Sequence, residues 1–220
     1  MRNTDLTALL LGLSGAILYW IGKQTKRDQD QPVTNDGLIL PPIDVGNPGD
    51  VRIASLLSEI DALLQDAGVL DFSARELTTM PEAPGRPVAI PDRRDWPSLV
   101  QIAKIAQKIR DQVGPLNVRG YRPSDYNAAV GGAPGSRHQW AQAIDFKIAG
   151  KPDADRVEVL RLALETAASR PELRMGIGAY GSPPRTVHID AGGPKNKRPA
   201  LWGDGPGKAL ARQLSDALIA

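Results

Sequence analysis

The chain has 220 residues and no cysteine, which excludes disulfides, cysteine-ligated zinc, iron–sulfur clusters and thiol nucleophiles. Its 27 lysines and arginines are nearly balanced by 25 aspartates and glutamates. No basic run interleaved with aromatics marks a nucleic-acid face, so no nucleic-acid partner is expected.

Residues 6–22 contain no charged side chain, with Tyr19 and Trp20 near one end and Lys23, Lys26 and Arg27 closing the run. Seventeen residues make about 25 Å of helix, at the short end of the membrane-spanning range. Residues 1–23 therefore read as a membrane-anchor-like helix; the alternative is an apolar helix packed against a partner. The basic residues follow the apolar run instead of leading it, which argues against a cleavable signal peptide. Residues 24–50, with Pro32, Pro41, Pro42 and Pro48, read as a flexible or extended linker.

A domain over 51–220 is expected to follow. Its first helix is predicted from Val51 to about Ala67, with Ile53, Leu56, Leu57, Ile60, Leu63 and Leu64 as the apolar stripe. A proline-bearing stretch over 78–95 separates it from a second helix, Trp96 to Val113, striped by Leu99, Ile102, Ile105, Ala106 and Ile109. Pro97 stands where a first-turn proline is tolerated. A short strand at 116–119 leads into a glycine- and proline-rich loop through Gly135. Strand 143–148 comes next, then a helix over 153–170 burying Val157, Leu160, Leu164 and Ala167. In Val187-His188-Ile189-Asp190, alternation places His188 and Asp190 on one strand face. Residues 194–207 read as a surface run containing Trp202, and a last helix spans about 208–218.

The only two histidines lie in polar signatures. Ser136-Arg137-His138 is followed seven residues later by Asp145, and His188 sits two residues before Asp190. Two imidazoles and one carboxylate suit a catalytic zinc site with a fourth position left open.

Several ordered motifs together resemble the zinc D-alanyl-D-alanine carboxypeptidase and peptidoglycan endopeptidase superfamily. They are Gly120-Tyr121-Arg122, Tyr126-Asn127, Gly131-Gly132, Ser136 with His138 and Asp145, Gly176 to Tyr180, Val187 to Asp190, and Trp202. The motif core covers 116–202. The resemblance implies an α+β domain, a small antiparallel sheet packed by helices with zinc at its open face. It also implies zinc ligands His138, Asp145 and His188, with Arg122 steadying a substrate carbonyl or carboxylate. Ser136, Tyr121, Tyr126 and Tyr180 are the expected supporting or substrate-contacting residues, although packing roles account equally well for the tyrosines. Zinc-dependent cleavage of peptidoglycan stem or cross-bridge peptides at a bond involving D-amino acids follows as the expected activity. A membrane-associated protein working in the periplasm or cell envelope, or on a virion, follows as the expected location.

Two positions depart from the family pattern. Ala141 replaces a glycine after the first histidine, and Arg185 stands where many relatives carry the acidic general base. A guanidinium cannot accept a proton. Asp190 is then the candidate for the base or for its orienting partner. The alternative reading is a catalytically weak or inactive relative, a membrane-associated protein that binds cell wall or serves as a structural virion component.

Overall fold

The computed structural model describes residues 48–85, 87–192 and 199–219. Helix α1 runs from Pro48 to Asp66, α2 from Ala74 to Thr78, and α3 from Trp96 to Val113. Strand β1 (Asn117–Arg119) precedes α4 (Ser124–Ala129), and β2 (Ala143–Lys147) precedes α5 (Asp153–Ser169). Strands β3 (Gly176–Tyr180), β4 (Thr186–Asp190) and β5 (Ala200–Gly203) complete the sheet, and α6 (Gly205–Ile219) ends the described chain.

The five strands lie in the order β1-β2-β4-β3-β5. Three pairings are antiparallel, but β3 and β5 run parallel, so the sheet is mixed instead of purely antiparallel. The cause is β5 itself, which lies inside the stretch expected to be a surface run. Its three-residue alternation around Trp202 is too short to outweigh the flanking prolines and glycines as a sequence signal.

Alternation divides the sheet into two faces. Ile144, Phe146, Ile177, Ala179, Val187 and Ile189 point inward and are fully buried. Helix α3 packs on β2, α5 on β3 and β4, and α6 on β3 and β5. All five residues expected to stripe α3 are buried. In α1 the stripe is narrower than expected: Leu57, Ile60 and Leu64 are buried, whereas Leu63 is 42% exposed, one step round the helix. Val157 of α5 is only half-buried. That helix buries Val159, Leu162 and Ala163 instead, because it touches α3, the sheet and α6 together.

The expected membrane association is corrected. Among the described residues, no helix is long and apolar enough to cross a membrane. The apolar segment 6–22 and linker residues 24–47 lie outside the described residues, and residues 48–50 belong to α1. Neither a membrane partner nor a membrane location is retained.

Candidate metal centre

The strand registers align one row of side chains across the open face. Arg119 pairs with Asp145, Asp145 with His188, His188 with Gly178, and Gly178 with Trp202. His138 reaches this row from a 3-10 turn, Arg137–Trp140, that ends at Ala141. Ala141 adopts φ 51° and ψ 31°, the left-handed region where a glycine is at ease. Its methyl group is fully buried, so the substitution is accommodated at a conformational cost of about 1–2 kcal/mol.

Two glycines make the row possible. A Cβ on Gly120 would collide with the Leu77 carbonyl, and the same residue's carbonyl oxygen accepts the His138 Nδ1–H at 2.6 Å. A Cβ on Gly178 would lie 2.6 Å from Trp202 Nε1. Without it, the indole slides over the strand and tilts against the His188 ring, with centroids 5.2 Å apart.

Three ligand atoms converge. His138 Nε2 lies 3.2 Å from His188 Nδ1 and 3.3 Å from Asp145 Oδ1, and His188 Nδ1 lies 2.7 Å from Asp145 Oδ1. Ligands about 2.0–2.1 Å from a tetrahedral zinc stand about 3.3 Å from one another. Two edges of the triangle already have that length, and all three atoms lie within 4.8 Å of one another. The far nitrogens are committed elsewhere: His138 Nδ1 donates to Gly120, and His188 Nε2 faces Asp190 Oδ2 at 3.5 Å. Two imidazole nitrogens and a carboxylate oxygen gathered this closely, with the far nitrogens engaged elsewhere, form a donor set that fits zinc.

Titration follows the same geometry. Burial pushes the His138 imidazole down. Burial also opposes charge on His188, but its bonds to Asp145 and Asp190 together outweigh that cost and raise it. Asp145 is likewise penalised by burial, yet the two imidazoles hold its carboxyl well below the usual range. A proton on His188 thus occupies the place a metal would take. Below its raised pKa the proton competes with the metal, and above it the imidazole is free to bind. Zinc affinity is expected to weaken by roughly tenfold per pH unit on the acid side of that pKa. A calorimetric zinc titration at several pH values checks this, and an affinity flat with pH would contradict it.

The cleft over the row has a volume of about 710 Å³. Arg122, Ser136, Tyr180, Asp190 and Trp202 line it. Arg122 Nη2 stands 3.5 Å from Asp145 Oδ2, its backbone N–H donates to the His138 carbonyl, and its buried Nε has no hydrogen-bond partner among the described residues. Asp190 is 2% exposed, and Tyr180 is 41% exposed. Ser136 immediately precedes the 3-10 turn as its N-cap residue. Tyr121 and Tyr126 instead line a neighbouring cleft of about 260 Å³, where the Tyr126 hydroxyl donates to Glu82. Arg185 is exposed in the β3–β4 turn and is not part of either lining.

Sequence reasoning missed the Gly120 carbonyl, Gly178 as the seat of Trp202, and Lys147. The lysine had a readable signal: it is two residues beyond Asp145 on the same strand, hence on the same face. Compared with family models, residues 71–190 match Peptidase M15. A search of curated proteins gives no match.

Proposed function

The chain belongs to the peptidase M15 family, and we propose that it is a zinc-dependent hydrolase of peptidoglycan peptides whose catalytic domain spans residues 51–220. The observation that carries this reading is the converging His138–Asp145–His188 triad on the open sheet face of a family member. In this proposal His138 Nε2, Asp145 Oδ1 and His188 Nδ1 hold the zinc. When bound, zinc supplies Lewis acidity toward a scissile carbonyl and a water of lowered pKa.

The protein's own groups do the rest. Gly120 fixes the His138 ring by accepting its Nδ1–H, which leaves Nε2 as the ligand nitrogen. Arg122, in the lining of the cleft, offers a fork of donors for a carbonyl or carboxylate oxygen. Asp190 lies behind His188, beside its Nε2, which favours a positioning role over that of the base. It holds the ring with Nδ1 toward the metal and makes that nitrogen a better donor.

Asp190→Asn is expected to weaken zinc binding and turnover together, each by about 10- to 100-fold. A proton acceptor would behave differently, with a fall in kcat of about 10²–10⁴-fold and zinc affinity preserved. Paired zinc titration and kinetics on the variant separate the two roles.

Mass spectrometry of purified murein after digestion tests the activity itself. Peptide fragments that appear with zinc and vanish with chelator are expected. Zinc-loaded protein that releases none would overturn the reading.

A further inference from the structure

Beside the metal row runs a second one, two residues further along each strand. Asn117 pairs with Lys147, Lys147 with Thr186, and Thr186 with Tyr180. Two strand residues span about 6.8 Å, close to the reach of an extended peptide from its reacting carbonyl to a carboxyl one or two residues away. Lys147, Thr186 and Tyr180 form part of the lining of the large cleft, and Lys147 and Arg122 also line the smaller one, so both stand where the two clefts meet.

The charges there are unequal in their commitments. Arg119 is ion-paired with Glu82, and Arg122 lies beside Asp145. Lys147 is half-buried and donates a long hydrogen bond of 3.4 Å to the Thr186 hydroxyl. Among the described residues no carboxylate lies within ion-pair distance of its ammonium. Arg122, Arg137 and Lys147 outnumber the two carboxylates of the large cleft, Asp145 and Asp190, before any metal charge is added. A half-buried ammonium in a cleft of this sign, with only a weak hydroxyl partner, is set to receive an anion.

We propose that Lys147, braced by Thr186, is a specificity-determining residue that binds a free carboxylate of the peptide substrate next to the scissile bond. The cleft thereby selects stem peptides with free carboxyls over those whose carboxyls are amidated. This rests on the peptidase reading and extends it to the substrate's charge.

The test uses two murein stem peptides that differ only in having free or amidated carboxyls. They are offered to the zinc-loaded full chain, to Lys147→Met and to Lys147→Arg. A charge-assisted hydrogen bond corresponds to about a tenfold to hundredfold preference. Wild type is expected to favour the acid by that factor in kcat/KM. In Lys147→Met the acid-to-amide ratio should fall to about one, through KM on the acid, and Lys147→Arg should restore it. An unchanged ratio in Lys147→Met, or a loss carried by kcat that arginine does not rescue, would overturn the assignment.

If wild type cuts neither peptide, the peptidase reading fails, and the subsite is then judged by calorimetric binding of the same pair. Tenfold tighter binding of the acid, lost in Lys147→Met, supports the subsite. Equal binding, or none, refutes it.

Discussion

His188→Ala is expected to bind zinc about a hundredfold to a thousandfold more weakly and to release no murein peptide above background. Structural zinc in small zinc-binding peptides is held with about 10–16 kcal/mol shared among its ligands, so one lost imidazole removes about 3–4 kcal/mol, the hundredfold to thousandfold expected here. The variant also leaves Asp145 and Asp190 facing each other across the missing ring, since both now bond to it. Circular dichroism should accompany the zinc titration, and Asp145→Asn is the companion variant because it keeps both imidazoles. Both variants folded, and both still cutting at the wild-type rate, would mean that the triad is not the catalytic centre.

Arg122→Met should show the opposite division of effects. The guanidinium is not a ligand but stands 3.5 Å from Asp145 Oδ2, in the lining of the cleft. A donor aimed at developing charge typically contributes about 10²–10³-fold to kcat. A fall of that size is expected, with zinc affinity kept within about tenfold. Arg122→Lys should recover little, because one ammonium cannot reproduce a planar fork. The backbone bond from Arg122 to the His138 carbonyl persists in either variant, so the His138 turn should hold. Loss of zinc instead of turnover would make Arg122 a counterion to Asp145 and nothing more.

The faces of the candidate triad were legible in the sequence because alternation is a short-range rule, whereas their convergence depends on the pairing of β2 with β4 and on the turn that carries His138. Alternation in Val187–Asp190 puts His188 on the open face, and the same alternation does so for Asp145, while Val187, Ile144 and Phe146 fill the core. Helix α3 was equally legible, since its stripe of five apolar residues is buried in full against β2 and α5. What alternation cannot give is register across strands. That Gly178 lies opposite His188 and admits Trp202, or that Lys147 lies opposite Thr186, depends on which strands pair and in which direction. Strand β5 was hidden for the same reason: four residues bordered by glycine and proline become a strand only because the β3 edge is free to receive them. Leu63 shows a smaller version, apolar in sequence yet exposed because α1 packs on one narrow side.

The role of Asp190 illustrates the limit in chemical terms. Spacing placed it on the ligand face, which suits a base and an orienting group alike. Its burial and its distance of 3.5 Å from His188 Nε2 favour the second. Arg185, at the position of the missing acid, is exposed in a turn and takes no place in the cleft.

Stripping the full chain with chelator and titrating zinc back while following release of murein peptides tests the central claim most directly. Activity should be absent in the stripped protein and return in proportion to zinc, saturating at one ion per chain. Stripped protein that cuts at full rate, or saturated protein that never cuts, would contradict it.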